Sequence, residues 1–289
     1  MNATCSHHES PVRDAARMAS RVVRVLQNER VEGGCHRVLA EVEGSWPGSG
    51  PGQFAMLSMD HPRFPILPRP FSLLGWQRDG DRDLLEWMIM PVGIGTGLLC
   101  SMQPGERFNA VGPLGRRMDD ELPDGPLLCV AGGYGVAPFI FLADQWRRAG
   151  DPRADDLTVI FGARTAERLS LHGRLAASCP RVELCTDDGT RGHRGRVDGR
   201  LAQLLAERRP ALVLTCGPER MMEAVGAACR AAGVPVRASL ETVMGCGYAV
   251  CNGCAVAVAD GRQADGYTYE LACREGTVFD ETRLQWHPL

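Results

Sequence analysis

The most conspicuous absence from this 289-residue sequence is lysine, because all 32 of its Lys and Arg positions are arginine. Without lysine the chain cannot use a P-loop lysine on a nucleotide phosphate, a Schiff base or a lysine general base. Any phosphate must therefore be bound by arginine, by glycine-rich turns or by the N-terminus of a helix. We attribute the absence itself to compositional bias, so it limits the mechanism without suggesting one.

The sequence also lacks an excess of positive charge and an unambiguous membrane-spanning run. Its formal net charge is −3 at pH 7, which argues against a nucleic acid as partner. The uncharged stretch 126–143 approaches the length of a transmembrane helix, but its glycines and Pro138 favour a buried strand, a turn and the start of a helix. Since the first 25 residues hold no apolar signal segment, we expect a cytoplasmic protein that does not contact membranes.

Cysteine is unevenly distributed. The chain has 12 cysteines, too few for a small secreted scaffold held by disulfides. Eight of them are scattered singly and four lie close to the C-terminus. The scattered residues indicate free thiols in a reducing compartment, whereas the C-terminal group needs a chemical explanation.

The spacing of apolar runs along the sequence divides the chain into segments. Between residues 19 and 109 short β-type runs alternate with Gly and Pro, which is typical of a small antiparallel barrel or sandwich. After a boundary at 112–125, apolar strand runs alternate with helix-like stretches up to residue 237, which favours βαβ units on a parallel sheet. We predict a disordered N-terminal extension (1–18), a barrel domain (19–122), an α/β domain (123–237) and a small C-terminal module (238–289).

The C-terminal cysteines have the spacing Cys-x4-Cys-x2-Cys-x18-Cys. This opening spacing is that of plant-type [2Fe–2S] ligation with a distant fourth cysteine. Glycines in the same loop would let it wrap a cluster and aim backbone N–H groups at its sulfurs. Four cysteines also suit tetrahedral zinc, although structural zinc sites usually show two matched pairs and here the fourth cysteine stands alone. The candidate metal ligands are Cys246, Cys251, Cys254 and Cys273.

The barrel segment contains the run Arg69-Pro70-Phe71-Ser72. Its guanidinium can bind a pyrophosphate bidentately, and its hydroxyl can hydrogen-bond a ring nitrogen. The Gly-rich turn 93–97 opens a short helix whose free N–H groups would face a phosphate. Taken alone, each pattern is equally compatible with an ordinary loop.

The α/β segment contains a nucleotide-type turn. The run Ala-Gly-Gly-Tyr-Gly-Val-Ala-Pro at 131–138 follows an apolar strand and precedes a helix, which is the context in which a backbone approaches a pyrophosphate. It does not meet the Gly-x-Gly-x-x-Gly fingerprint. Cys216 and Gly217 follow another strand, and ligands of open α/β sheets bind at such carboxyl ends. For Cys216 the alternative is a small buried hydrophobe.

The order of these motifs, with a Gly-Pro-Leu-Gly run and the acidic loop Thr186-Asp187-Asp188-Gly189, resembles one family. It is that of the electron-transfer subunits of the NAD-linked, two-component dihydroorotate dehydrogenase, a branch of the ferredoxin-reductase-like flavoproteins. The resemblance spans residues 21–279, and the cysteine tail and the acidic loop narrow it to this branch. Two departures lie in the cluster loop, since Ala249 stands where the family usually has Gly and Thr277 where it usually has Pro.

The resemblance implies an antiparallel β-barrel that binds FAD, a parallel α/β domain that binds NAD and a C-terminal [2Fe–2S] module. On that analogy Arg69 holds the FAD phosphates, Phe71 lies by the isoalloxazine and Ser72 reaches the flavin N5 region. Gly95 and Thr96 would cap the pyrophosphate. The implied FAD-binding set is Arg69, Pro70, Phe71, Ser72, Gly95 and Thr96.

On the NAD side, the resemblance implies that the glycine turn admits the NAD phosphates and that Cys216 sits near the nicotinamide. The acidic loop joins the cofactor-binding residues without an assigned role. No basic cluster awaits a 2′-phosphate, with Arg164 the only candidate, so NAD is preferred over NADP. The implied NAD-binding set is Gly132, Gly133, Gly135, Asp187, Asp188 and Gly217, and the residues assigned to catalysis are Ser72 and Cys216.

The resemblance also implies a function. A partner subunit holding FMN would oxidise dihydroorotate to orotate in pyrimidine biosynthesis, and this chain would pass the electrons through [2Fe–2S] and FAD to NAD⁺ within a heterotetramer. One alternative is a diaphorase-type subunit of a hydrogenase, a sulfide dehydrogenase or a ferredoxin:NADP transhydrogenase. Another is a zinc-stabilised binding module without redox activity. We expect the apolar tail 279–289, with Trp286 and Leu289, to contribute to the surface that the partner covers.

Overall fold

The computed structural model describes residues 18–263 and 265–286. They form a closed six-stranded barrel, a seven-stranded sheet flanked by helices, and a two-stranded hairpin near the C-terminus. The predicted succession of an antiparallel barrel, a parallel α/β domain and a small C-terminal module is confirmed. The domain limits drawn from the sequence stay predictions, and of the predicted extension 1–18 only Met18 lies within the described residues.

The barrel is antiparallel throughout, with the strand order β1-β2-β5-β4-β3-β6. Apolar side chains fill its interior, where the rings of Trp87 and Phe108 meet edge to face. The start of the predicted boundary, residues 112–114, is instead the end of the sixth strand. The elements are β1 (Ala19–Arg30), β2 (His36–Val42), β3 (Phe54–Ser58), β4 (Arg69–Asp79), β5 (Arg82–Ile89), α1 (Ile94–Ser101) and β6 (Arg107–Leu114).

The second sheet has the order β10-β9-β8-β7-β11-β12-β15, in which β15 is the C-terminal strand Val278–Asp280, and the pairings from β10 to β12 are parallel. As predicted, the uncharged stretch 126–143 forms a fully buried strand, a 3-10 turn and the start of a helix. No helix in the described residues combines the length and apolarity that crossing a membrane requires. The elements are β7 (Leu127–Gly132), α2 (Ala137–Ala149), α3 (Arg153–Asp156), β8 (Thr158–Ala163), α4 (His172–Ser178), β9 (Arg181–Thr186), β10 (His193–Arg194), α5 (Val197–Glu207), β11 (Leu212–Cys216), α6 (Glu219–Ala232) and β12 (Val236–Ser239).

The C-terminal residues form a hairpin and then return to the second sheet. Strand β15 pairs antiparallel with β12, with Phe279 opposite Ala238. The sequence did not predict this pairing, because residues 238–289 were expected to form a module of their own. The elements are β13 (Ala255–Ala259), β14 (Tyr267–Leu271), α7 (Ala272–Glu275) and β15 (Val278–Asp280).

The apolar cores cross the boundaries between these parts. Phe141 of α2 packs into the barrel core, and Leu74 of the barrel packs into the core of the second sheet. A further core joins Phe54 of the barrel, Met222 of α6 and Cys254 of the C-terminal part. The three parts are therefore held against each other by buried apolar contacts as well as by the chain.

A network of charged side chains also joins the barrel to the second sheet. Arg174 of α4 makes a bidentate pair with Glu86 of β5, at 2.8 and 2.7 Å, and its Nε donates to Asp144 of α2 at 2.8 Å. Arg37 of β2 donates to the same Glu86, whose side chain is 7% exposed. A carboxylate this buried needs such partners, since an unpaired buried charge is costly.

Candidate functional site

The first candidate site begins at Arg69, the first residue of β4. Its Nη1 donates to the carbonyl oxygens of Leu67 at 3.0 Å and Pro68 at 3.3 Å. No carboxylate of a described residue pairs with this guanidinium. Its positive charge is therefore available to a phosphate, in line with the predicted role.

Phe71 and Ser72 follow on the same strand, opposite Ala55 and Phe54 of β3. Ser72 is exposed, whereas Pro70 and Phe71 are half-buried and the Phe71 ring packs against the barrel core. Within the described part of the chain the Ser72 hydroxyl has no hydrogen-bond partner. It is free to donate to a ligand that lies against β4.

The Gly-rich turn before α1 is held together by the side chain of its threonine. The Thr96 hydroxyl oxygen accepts hydrogen bonds from the N–H groups of Gly93 at 2.9 Å and Val92 at 3.0 Å, and it donates to the Gly93 carbonyl oxygen at 3.1 Å. It therefore shapes the turn, and the first N–H groups of α1 remain available to a phosphate. A Cβ at Gly95 would lie 3.1 Å from Cδ of Pro65, so this glycine lets α1 pack against the loop before β4.

In the second candidate site, the turn after β7 packs against the turn after β11. A Cβ at Gly135 would lie 2.3 Å from the carbonyl oxygen of Cys216, and one at Gly132 would lie 2.5 Å from Sδ of Met221. These two glycines thus allow two backbone turns to approach each other. Gly133 has a φ of +54° and open space where a side chain would stand, so it borders the volume that a phosphate can occupy.

Cys216 ends β11, in register with Ser239 of β12 and followed by Gly217 at a φ of +152°. Burial raises the pKa of the Cys216 thiol well above its usual range, the charge of Glu241 raises it further, and a hydrogen bond with Ser239 lowers it in part. The thiol therefore stays protonated at neutral pH. Such a group offers a small polarisable surface to a ring rather than an acid or a base.

The two acidic residues after β9 have different surroundings. The Asp188 carboxylate accepts hydrogen bonds from the Thr190 N–H at 3.0 Å and hydroxyl at 2.7 Å, and these bonds hold the pKa of Asp188 below its usual value. Asp187 is exposed, and its carboxylate has no partner among the described residues. Asp188 therefore folds the loop, and Asp187 is the one available to a ligand.

Sequence reasoning missed Ser239 and Glu241, which extend the site beyond the end of β12. Glu241 is exposed at the surface. The surrounding chain nevertheless desolvates its carboxylate, and this desolvation raises its pKa. The signal was present in the sequence, because the carboxyl ends of neighbouring parallel strands lie at one edge of a sheet. Ser239 is the last residue of β12, just as Cys216 is the last residue of β11, and the two are paired in register at this edge of the sheet.

The third candidate site is formed by the C-terminal hairpin and the loop before it. Cys254 precedes β13 and Cys273 follows β14, and the N–H of Ala272 donates to the Cys254 carbonyl oxygen at 3.0 Å. The Sγ atoms of Cys254 and Cys273 lie 3.2 Å apart. The long spacing before the fourth cysteine is therefore the length of a β-hairpin.

Cys246 and Cys251 lie in the loop before β13. The Cys246 sulfur accepts hydrogen bonds at 3.4 Å from the N–H groups of Tyr248, Val250 and Cys251, and the Cys251 sulfur accepts one from Gly253 at 3.5 Å. Burial raises the pKa of Cys246, but these N–H groups outweigh it and lower the pKa to about 7. The loop is thus arranged to stabilise negative charge on sulfur.

The donor set fits a two-iron cluster. The thiols form two pairs, Cys246 with Cys251 and Cys254 with Cys273, and the Ala249 N–H donates to the Cys273 sulfur at 3.1 Å. A [2Fe–2S] cluster bound by four cysteines needs two thiolates on each iron, together with hydrogen bonds to sulfur. Within residues 18–263 and 265–286, no group of three or more His, Cys, Asp or Glu side chains converges on a single ion position.

The described part of the apolar tail packs largely inward, and its contribution to a partner surface stays a prediction. Phe279 and Leu284 are buried, and Trp286 packs against the same core. The Trp286 indole N–H donates to Glu281 at 3.1 Å. These side chains hold the C-terminal strand in place, and Leu289 lies outside the described residues.

Two family models match the chain. The oxidoreductase NAD-binding domain matches residues 129–227, and the iron–sulfur cluster binding domain of dihydroorotate dehydrogenase B matches residues 241–285. The first range runs from β7 into α6, and the second contains all four C-terminal cysteines. The predictions of an NAD-binding domain and an iron–sulfur domain are thereby confirmed.

One relative decides the family. The dihydroorotate dehydrogenase B (NAD(+)) electron transfer subunit of Desulforamulus reducens is 33% identical over 82% of this chain and 87% of its own length. This chain belongs to that family. The electron transfer subunit of the same enzyme in Clostridium acetobutylicum is 31% identical over 89% of this chain and 94% of its own length. The probable subunit of Methanocaldococcus jannaschii is 31% identical over 82% of this chain and 81% of its own length.

Solved structures show that this chain has a ferredoxin-reductase-like fold. The NADH-dependent reduced ferredoxin-NADP oxidoreductase, studied for flavin-based electron bifurcation, matches with a TM-score of 0.75 and 24% identity over 91% of this chain and 90% of its own. A ferredoxin NADP⁺ reductase from Neisseria gonorrhoeae, solved with FAD and NADP, matches with a TM-score of 0.56 and 19% identity over 75% and 92%. At these identities the likeness supports the fold alone.

Proposed function

We propose that this chain carries electrons between a partner subunit, which oxidises dihydroorotate to orotate on FMN, and NAD⁺. One observation carries the proposal: the chain packs a four-cysteine loop, with N–H groups aimed at its sulfurs, against both a barrel and an NAD-binding sheet. The bound groups supply the redox chemistry, since flavin exchanges electrons singly or in pairs, nicotinamide in pairs and the cluster singly. The chain supplies binding and orientation.

On the barrel, the chain binds and orients the flavin. Arg69 would bind phosphate oxygens with its guanidinium, and the N-terminal N–H groups of α1 would offer further donors to a phosphate. Thr96 holds the turn in which those N–H groups lie. Ser72 donates to the ring system from the exposed side of β4, and Phe71 provides an apolar wall beside it.

On the sheet, the chain orients the nicotinamide nucleotide. Gly133 leaves room for phosphates at the carboxyl end of β7. Cys216 would offer a neutral thiol beside the nicotinamide ring, and the exposed carboxylate of Asp187 would accept a hydrogen bond from a ribose hydroxyl. An exposed carboxylate there also repels a 2′-phosphate, which supports NAD over NADP.

At the cysteine loop, the chain presents an apolar surface beside the cluster ligands. Val243 is 84% exposed and Val250 73% exposed, and Leu67 of the barrel lies 3.8 Å from the position of a Cβ at Gly245. The Cys251 side chain is exposed in the same loop. We place the FMN-containing partner on this surface, where it would exclude water from the electron path, and we propose the heterotetramer that the family resemblance implies.

The proposal is tested by co-expressing the chain with an FMN-containing dihydroorotate dehydrogenase catalytic subunit and assaying dihydroorotate-dependent NAD⁺ reduction. We expect activity, with iron and acid-labile sulfide in the purified complex. A colourless, zinc-loaded protein would contradict the redox function. Reduction of dyes by NADH without activity toward dihydroorotate would instead support the diaphorase alternative.

A matched pair of variants tests the docking surface. Val250→Arg places a charge in the apolar surface and should reduce co-purification of the partner at least about tenfold, since a buried unpaired charge costs several kcal/mol. Val22→Arg, at an exposed valine of the barrel, should leave co-purification unchanged. Both should keep the visible absorbance of the cluster. Equal co-purification of both variants with the partner would place the interface elsewhere.

A further inference from the structure

The C-terminal end of α1 is held by a side chain of β1, about seventy residues earlier in the chain. The Asn28 amide nitrogen lies 3.1 Å from the Leu99 carbonyl oxygen, 3.2 Å from that of Cys100 and 2.9 Å from that of Met102. The last carbonyl groups of a helix lack partners within the helix. A single amide of β1 thus supplies donors to the C-terminal carbonyl groups of α1.

His36 fixes the orientation of this amide. Its Nδ1 lies 2.9 Å from the Asn28 Oδ1, across the β1–β2 pairing in which His36 stands opposite Arg30. Because the Asn28 nitrogen already donates to α1, its oxygen must accept, and the hydrogen therefore sits on His36 Nδ1. Burial and the charge of Arg30 hold the pKa of His36 below its usual value, so the ring is neutral at pH 7.

The helix depends on such an anchor because it is short. An isolated helix of eight residues does not hold its conformation in water, so α1 takes its position from its contacts. Its apolar contacts with the barrel core come from Leu98, Leu99 and Cys100 in its last turn. In its first turn only Gly95 is buried, while Thr96 and Gly97 are half-buried. The two ends are about 12 Å apart, so a shift at the anchored end moves the first N–H groups with it.

We infer that Asn28, oriented by His36, is the positioning residue for the phosphate-binding turn of α1 and hence for the flavin. This inference rests on the proposed function, because it takes FAD as the ligand of that turn. In this inference the Asn28 amide sets both the position of α1 along its axis and the tilt of the helix. The flavin phosphate then meets N–H groups that are already placed, and less ordering is required on binding.

The test uses the full chain with Asn28→Ala and Asn28→Asp, measured by flavin fluorescence titration and by amide hydrogen exchange of the FAD-free chain. We expect FAD affinity to fall about tenfold, since the loss of a half-buried hydrogen-bond donor to several carbonyls costs on the order of 1–2 kcal/mol. Exchange in α1 should accelerate in both variants. The aspartate variant should be no better than alanine, because a carboxylate cannot donate to carbonyl groups.

Three further variants separate positioning from general destabilisation. His36→Asn keeps a donor near the place of Nδ1 and should retain most of the FAD affinity, whereas His36→Leu should lose several-fold. Arg24→Ala removes a bond from the same strand to Glu41, away from α1, and should change neither measurement. Cluster absorbance and NADH binding should be unchanged in every variant.

The outcomes are distinct. Unchanged FAD affinity and unchanged α1 exchange in Asn28→Ala would overturn the inference, and so would an equal loss of FAD, NADH and cluster. If the unmodified chain binds no FAD, the proposed function fails. Faster exchange of α1 in Asn28→Ala would then still show the anchoring, without its role toward flavin.

Discussion

Ala249 adopts a φ of 63°, in the left-handed region that costs a residue with a Cβ about 1–2 kcal/mol. This conformation aims its N–H at the Cys273 sulfur, so strain at one residue serves a ligand of the proposed cluster. Ala249→Gly should therefore raise the free energy of unfolding by about 0.5–1 kcal/mol, after the greater freedom of glycine in the unfolded chain is subtracted. Anaerobic urea unfolding followed by cluster absorbance measures the change.

Asn252 provides the control for this prediction. It also has a left-handed φ, of 57°, but asparagine tolerates that region better than alanine. Asn252→Gly should raise the unfolding midpoint by less than Ala249→Gly. A lower midpoint for Ala249→Gly than for the unmodified chain would show that the strain is absent.

Thr277 forms a buried bridge between the cluster loop and the barrel. Its hydroxyl donates to the Gly52 carbonyl oxygen at 2.9 Å, a bond that the proline usual at this position in the family cannot make. Thr277→Val should destabilise the chain by about 1–3 kcal/mol, because the carbonyl oxygen is left buried without a donor. Thr277→Ser keeps the hydroxyl and should lose clearly less in the same thermal unfolding measurement. A negligible loss of stability in Thr277→Val would show that this hydrogen bond does not stabilise the chain.

At the scale of single residues, the sequence predicted the positions of polar groups better than their partners. Thr96 and Asp188 are where the motifs place them, yet both side chains bond to neighbouring groups of their own turns. Such local bonds compete with ligands, and a sequence does not show which bond wins. Asn28 carries no motif at all, because its partners lie about seventy residues away in the chain.

At the scale of helices, strands and turns, the close contact between the turns after β7 and β11 leads to a testable prediction. A Cβ at Gly135 would meet backbone, not a flexible side chain, so the two turns must separate. Gly135→Ala should lower NADH affinity by at least about tenfold and lower the melting temperature, as measured by calorimetric titration and thermal unfolding. Gly199→Ala, in α5 with open space around it, should instead stabilise the chain by up to about 1 kcal/mol. Unchanged NADH affinity in Gly135→Ala would exclude this contact from the site.

Elements with a clear period were predictable and elements defined by distant pairing were not. The alternation of strands and helices between β7 and β12 follows from apolar runs and helix starts, which are local signals. Gly112 and Pro113 are typical of turns, so their pattern predicts a boundary where the structure has the end of β6. Strand β15 has no local signal, because its partner β12 is separated from it by the whole cysteine region.

Across the whole molecule, the charged network around Glu86 fixes how the barrel meets the NAD-binding sheet. Arg174→Leu removes the arginine partner of Asp144 and leaves Glu86 with Arg37 alone. It should cost about 3 kcal/mol of stability, since removing one partner of a buried ion pair is strongly destabilising. It should also slow hydride transfer from NADH to bound flavin more than it weakens either cofactor, because the network sets orientation. Stopped-flow reduction and thermal unfolding give the two readouts.

Arg148 provides a control on the same junction. It donates to Gln77 of the barrel from an exposed position on α2. Arg148→Leu should change stability by less than about 0.5 kcal/mol and leave the transfer rate unchanged. If Arg174→Leu behaves like Arg148→Leu, the apolar contacts alone set the orientation of the two parts.

The overall architecture was predictable because the order of motifs along the chain is visible in the sequence, whereas the pairing of distant strands is not. Residue types at fixed spacings identified a barrel, a sheet and a cysteine module in sequence. What they could not show is that Phe54, Met222 and Cys254 share one core, since core membership depends on the relative placement of all three parts. The parts were therefore predicted as separate units and are found packed together.

The pairing of β15 with β12 has a consequence for how such a chain could be assembled from simpler ones. Ser239 and Val278 are neighbours across two antiparallel strands, so everything between them is an insertion at the end of one hairpin of the sheet. Insertions at hairpin ends disturb a fold least. A reductase with a short turn at this place could gain or lose the cysteine-containing segment by one insertion or deletion, with the sheet and the barrel left in place.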